Sequence, residues 1–152
     1  MGTDASQVRI KNKKAWHEYL LIEEFTAGIA LLGTEIKSIR EGKVNLADSY
    51  CAFISDELFV VNMHISEYKY GNQFNHDPKR PRKLLLKKRE LRKIQGKAKD
   101  KGVTIVPTEL FTNDKGIAKL TIYIAKGKKT YDKREALKNK DQKREMERRS
   151  ED

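Results

Sequence analysis

A small closed or nearly closed β-barrel, with accessory α-helices and a C-terminal tail disordered in the free state, is the fold class this sequence predicts. Three observations carry it. Five to seven runs of β-forming residues recur at spacings marked by turn residues. One amphipathic stretch interrupts them just before the last hairpin signal, and after Gly127 the chain has almost nothing apolar. An OB-type barrel is the natural member of this class. An α+β sandwich with a two-sided sheet is the alternative the pattern leaves open. The organisation expected is a body over residues 1–126, flexible through residue 10, and a basic tail over 127–152. With 152 residues, a body of roughly 120 can bury one core without staples.

Along the chain, "WHEYLLIEEF" (16–25) reads as a strand entering a turn at "TAG", and "IALLG" as a second short strand ending at Gly33. "TEIKSIREGK" reads as a short helix, with Thr34 as N-cap, Ile36 and Ile39 three apart, and Gly42 as its stop. "DSYCAFISDELFVVNMHI" is a hairpin signal, with Cys51 and Phe53 alternating against Tyr50, Ala52 and Ile54, and "SDE" as the turn. Ser66 to Arg82 has no period and two prolines, so it reads as a loop. In "KLLLKKRELRKIQGKAKDKG", Leu84, Leu91, Ile94 and Ala98 fall near helical spacing, with Gly102 as C-terminal cap. "VTIVPTELFTNDKGIAKLTIYIAKG" gives two strands around Asn113-Asp114-Lys115-Gly116.

The net charge is +11, and its location says more than its size. Residues 1–78 carry 8 basic and 11 acidic side chains, whereas residues 79–101 carry 12 and 2. Residues 126–134 hold 5 and 1, and the remaining segments balance. Two short cationic blocks on a small chain favour a phosphate backbone as partner. In the first block Arg80, Arg82, Lys83, Lys87, Lys88, Arg89, Arg92 and Lys93 are expected to face outward while the apolar stripe docks on the barrel. A basic amphipathic helix also suits a membrane surface, but these apolar positions are needed to cover the barrel and the helix has no Trp or Phe. Tyr19, Tyr68, Tyr70 and Phe74 are the aromatics available for stacking on splayed RNA bases, with core or loop packing as their plainer use.

Catalytic and metal constellations are absent from the sequence pattern. His17, His64 and His76 are scattered, and Cys51 is alone, which excludes a disulfide and paired-cysteine zinc sites. The adjacent Glu23 and Glu24 point to opposite faces of a strand and cannot work as an acid–base pair. "HDP" at 76–78 is accounted for by an Asx-turn before proline. No enzyme activity, cofactor or metal is expected. The N-terminal residues lack the apolar stretch of a signal peptide and no run approaches a membrane span, so a reduced, cytoplasmic setting is expected.

Between Asp132 and Asp152 the only clearly apolar residues are Ala136, Leu137 and Met146. A helix there has no face to bury, although its residues are good helix formers and Glu145–Arg149 is a favourable pair. Order must then come from a partner.

Three blocks, "HEYLLIEEFTAGIALLGTEIKSIREGKVNLADSY", "GNQFNHDPKRPRKLLL" and "AKGKKTYDKRE", closely resemble the SmpB family, the small tmRNA-binding proteins of bacterial trans-translation. The match runs from about Lys11 into the tail. The resemblance implies an OB-fold body that binds the tRNA-like domain of tmRNA and brings it to ribosomes stalled without a stop codon. A monomer in the bacterial cytoplasm, with no membrane partner, is expected. The resemblance also implies a tail that becomes helical in the 16S rRNA decoding centre and empty mRNA channel, in place of codon–anticodon pairing. Carried onto this sequence, the tRNA-like-domain contacts are Asn12, Lys13, Tyr19 and Leu86. The tail determinants are Gly127, Lys128, Lys129, Tyr131, Asp132, Lys133 and Arg134. Thr26 departs from the family by standing where many members carry an acidic residue linked to RNA binding.

Overall fold

A computed structural model describes residues 7–128. The tail positions Lys129, Tyr131, Asp132, Lys133 and Arg134 lie outside the described residues, as do residues 1–6. The strands are β1 (Arg9–Lys11), β2 (Tyr19–Ile29), β3 (Val44–Asn45), β4 (Tyr50–Ile54), β5 (Glu57–Val61), β6 (His64–Ile65), β7 (Arg82–Leu85), β8 (Val103–Thr112) and β9 (Ala118–Gly127). The helices are α1 (Lys13–Glu18), α2 (Gly33–Arg40) and α3 (Lys88–Ala98), with one 3-10 turn at Asn72–Phe74. The sheet runs β1-β8-β4-β5-β7-β2-β9, and a further β8–β9 pairing closes β8, β4, β5, β7, β2 and β9 into a ring. All its pairings are antiparallel. This is the OB-type barrel with accessory helices that the sequence predicts.

Strand alternation fills the ring. Phe25, Ala27 and Ile29 of β2, Leu58 and Val60 of β5, Leu84 of β7 and Leu120, Ile122 and Ile124 of β9 all turn inward and are buried. Each of the larger aliphatic and aromatic side chains among them contributes roughly 1.5–3 kcal/mol.

Antiparallel order fixes two mouths. At one, β2, β5 and β8 end and β4, β7 and β9 begin. Here α2 follows β2, and the segment 66–81 enters β7. At the other, α3 joins β7 to β8, α1 enters β2, and β9 runs out towards the tail. Contacts at each end agree. Gly116 of the β8–β9 turn lies beside the Arg40 guanidinium of α2, whereas Gln95 of α3 donates to Asp56 in the β4–β5 turn at 3.2 Å.

Several sequence expectations change. Lys13–Glu18 is helix, so the strand expected from Trp16 starts only at Tyr19. The side chain of Asn12 explains this by accepting from the Ala15 N–H at 3.2 Å, as an N-cap does. No turn occurs at "TAG". β2 runs unbroken to Ile29, so "IALLG" is not a separate strand. A register shift between Leu21 and Glu23 lets one strand serve two faces. Tyr19 and Leu21 pack beneath α1 with Ala15, Val106 and Ala125, while Phe25 and Ala27 fill the barrel. Leu32, not Thr34, is the N-cap of α2, and Gly42 ends the turn after it with φ of 74°. Arg9 and Ile10, expected to be flexible, pair with Phe111 and Leu110. Leu84 belongs to a strand, not to the basic helix, and α3 is capped at Lys99, three residues before Gly102. The β4–β5 hairpin turns through Ser55 and Asp56, both at positive φ, as mirror-image hairpin turns require.

Candidate nucleic-acid interface

The cationic block divides between the two mouths. α3 is held by Ile94, wholly buried, and by Leu91 and Ala98 at the edge of the core. Glu90 opens the helix by accepting from the Lys87 N–H at 3.2 Å, a helix-start contact that also places an acid in the first turn. The opposite face presents Lys87, Lys88, Arg89, Arg92, Lys93 and Lys97 to solvent. Lys93 pairs with Glu23 at 2.7 Å. Lys87, Lys88, Arg89 and Arg92 have no ion-pair partner among the described residues. Unneutralised cations on a rigid helix suit a polyanion, because each phosphate contact releases condensed counterions.

Arg82 and Arg80 do not belong to that surface. The Arg82 side chain is fully buried: Nε donates to Glu35, Nη1 to the Met63 carbonyl, and Nη2 to the Pro78 carbonyl at 3.1 Å. Arg80 is half-buried, with Nη2 donating to Glu35 at 2.6 Å and Nε at 3.0 Å. Burial alone would push the Glu35 carboxyl up. Hydrogen bonds from Arg80, the Leu32 N–H and Arg82 outweigh it and hold the group below the usual carboxylate range. The two arginines are therefore a clamp that ties 76–82 to α2. His76 reinforces the clamp, its ring bonding Thr34 at 2.8 Å and the Ile65 carbonyl at 2.9 Å. Lys83 is partly exposed and pairs with Glu57 at 3.3 Å.

The positions expected to meet the tRNA-like domain fall into two places: Asn12, Lys13 and Tyr19 lie along α1 and its ends, whereas Leu86 follows the β7 pairing with Gly28, at the far end of β2 from Tyr19. Lys13 is exposed on α1. Tyr19 is half-buried beside a cleft of about 230 Å³ that Asn12, Asp48 and Tyr50 also line. Leu86 is half-buried against the core, and its neighbour Leu85 is about half exposed. Asn12 is only 4% exposed, and its amide donates to the Leu46 and Pro107 carbonyls at 3.0 and 2.9 Å. Its side chain is fully employed in placing α1, so it positions Lys13 instead of reaching outward. Thr26 is exposed on β2, opposite Thr121.

Gly127 pairs with Tyr19 as the last residue of β9, one residue beyond the expected end of the body. The Lys128 ammonium donates to the Trp16 carbonyl at 3.2 Å. Tyr19, Gly127 and Lys128 thus meet at one point beside α1.

Sequence reading missed Glu35, whose place three residues after Leu32 is the helix-start signal that could have found it. It also missed Tyr123, whose hydroxyl donates to Glu24 at 2.7 Å. That bond, with burial, pushes the phenol up to about 12. Trp16, half exposed, rests edge-on against the same ring. Burial alone pushes the Cys51 thiol upward, which leaves it unreactive.

Comparison with known proteins adds names to this geometry. The family model described as SmpB protein matches residues 9–152. The SsrA-binding protein of Flavobacterium psychrophilum is 57% identical over 141 residues, covering 93% of this chain and 94% of that one. The SsrA-binding protein of Phocaeicola vulgatus is 59% identical with the same coverage. A solved structure described as "tmRNA-SmpB: a journey to the center of the bacterial ribosome" superposes with a TM-score of 0.67 at 44% identity, covering 78% of this chain and 83% of that one.

Proposed function

This chain belongs to the SmpB family, and on that premise we propose that it is the tmRNA-binding adaptor of trans-translation in a bacterial cytoplasm, with the ribosome as second partner. The observation that carries the reading is the unneutralised face of α3 at the mouth where β9 runs out. The C-terminal end of α3 shares a cleft with the last residues of β9, lined by Lys97, Asp100, Ile124 and Lys126, so the helix that offers cations to a folded RNA reaches to where the tail begins. Lys13, Tyr19, Leu86 and the cations Lys87, Lys88 and Arg89 contact the tRNA-like domain. Lys128, with Lys129, Tyr131, Asp132, Lys133 and Arg134, acts in the decoding centre and mRNA channel in place of codon–anticodon pairing. A cationic segment without an apolar face gains order among phosphates through counterion release and charge-assisted hydrogen bonds.

Removing everything after Lys128 tests the division. The cut must spare Gly127, which is paired with Tyr19. The truncated protein should bind a tRNA-like hairpin within about twofold of the full chain, yet fail to rescue ribosomes stalled on messages without stop codons. Loss of hairpin binding with rescue retained would reverse the assignment. Sequencing the RNA that co-purifies from the native cell names the ligand directly, and an mRNA or rRNA fragment in place of tmRNA would sink the reading. Tyr131→Ala should weaken rescue while leaving hairpin binding unchanged.

A further inference from the structure

At the α2 mouth, the segment 66–75 displays aromatic rings to water. Phe74 is 80% exposed and Tyr70 67%. Large rings this open on a soluble body are unusual enough to ask what covers them. They do not sit on a slack loop. The Asn75 side chain bridges the backbone of Tyr68, its Oδ1 accepting from the Tyr68 N–H at 2.8 Å and its Nδ2 donating to the Tyr68 carbonyl at 2.7 Å. The Gly71 and Phe74 N–H groups close the intervening turns. A Cβ on Gly71 would lie 2.6 Å from Asn75 Nδ2, so any side chain there breaks the bridge. The clamp on Glu35 and the His76 bonds hold the far end of the segment.

Cations are placed against the rings. Lys69 Nζ lies 5.4 Å from the Tyr70 ring centre, and Lys37 Nζ of α2 lies 5.3 Å from that of Tyr68. Tyr68 and Tyr70 meet edge to face at 5.5 Å. Planar rings with ammonium groups beside them match unpaired nucleotides, which offer a π-face and a phosphate. Tyrosine and phenylalanine also anchor protein contacts, but the ammonium groups of Lys37 and Lys69 beside the rings add a complement to phosphate that favours a nucleotide. The charge here is modest, because Glu41, Glu67 and Asp77 offset part of Lys37, Lys43, Lys69 and Lys79. Stacking therefore outweighs phosphate attraction, the reverse of α3.

We propose that Tyr70 and Phe74 form a second RNA contact that stacks unpaired bases at the mouth opposite the basic helix. It goes beyond the adaptor reading, since it assigns a surface that the tRNA-like-domain contacts and the tail do not use.

The test titrates the full chain with a 12-nucleotide oligoadenylate and follows ring-proton resonances of Tyr70 and Phe74 by NMR. Upfield shifts are expected at both rings, and they should persist in 0.3 M salt, where contacts made by phosphate attraction fade. Replacing both rings in Tyr70→Leu/Phe74→Leu keeps the surface apolar but removes the π-faces. Binding of vacant ribosomes should then weaken about tenfold, in line with loss of a base stack, while tRNA-like hairpin binding stays within about twofold. Absent ring shifts would overturn the proposal. So would a leucine variant that binds ribosomes like the parent when Tyr70→Ser/Phe74→Ser does not, because that pattern marks an apolar protein contact.

Discussion

The two mouths of the barrel are closed by opposite strategies. At the α2 mouth positive charge is taken inside: Arg82 is fully buried, Arg80 half so, and one carboxylate serves both. At the α3 mouth the apolar stripe of Leu91, Ile94 and Ala98 seals the ring, and the cations stay in water. Buried and exposed cations within one basic run thus do unrelated work. An ion pair without solvent organises backbone, whereas exposed charges remain available to a ligand.

Breaking the clamp should cost most. Glu35→Ala leaves two arginines facing each other without their carboxylate, and a loss of about 3–5 kcal/mol in urea unfolding is expected. Hydrogen exchange should speed up in 66–82 and stay slow in β8 and β9. A uniform increase over the whole ring would show that the mouths are not separable. Ile94→Ala should cost about 2–5 kcal/mol and loosen α3 without touching the Glu35 clamp, as circular dichroism and exchange together can establish.

Neutralising the exposed cations should have the complementary outcome. In Lys87→Gln/Lys88→Gln/Arg89→Gln/Arg92→Gln the melting temperature should barely move, because surface changes lie within about 0.5 kcal/mol each. Affinity for a tRNA-like hairpin should fall at least about tenfold, and the slope of log K against log salt should flatten by roughly 3. An unchanged slope would remove α3 from the interface.

The smallest effect is the most diagnostic of the clamp. The folded-state pKa of Glu35 is depressed, so its stabilising contribution is complete above its ordinary range and is lost as pH falls through the lower folded value. Melting temperature should therefore decline on acidification below about pH 4 in the parent. Glu35→Gln, already destabilised, should show a shallower decline over that window.

The barrel was legible because its evidence is local: alternation in Cys51–Ile54 and Leu58–Val61, and turn residues at Asn113–Gly116, need no knowledge of distant contacts. The charge run was harder. Read at helical spacing, Leu84 joins Leu91 and Arg82 is left outside. Read as "RKLL" in a strand, Arg82 and Leu84 share a face, and the inward direction of Arg82 follows. Nothing nearby in sequence says that Glu35, 47 residues earlier, waits there. Asn12, which the family resemblance names as an RNA contact, shows the opposite difficulty: only the carbonyls of Leu46 and Pro107, far along the chain, reveal that its amide is occupied.

Ring closure has one more effect. With β8 and β9 joined, the ring has no terminal strand, and β1, β3 and β6, which lie at sheet ends, are two or three residues long. The longer β2, which meets β7 only at Gly28 and Ile29, is flanked instead by α3, whose Lys93 pairs with Glu23. Lysine and arginine on β1 blunt it further. A second copy therefore meets short, charged strand ends and a helix beside the longer open stretch, an arrangement that disfavours edge-to-edge pairing while the protein is without its nucleic acid.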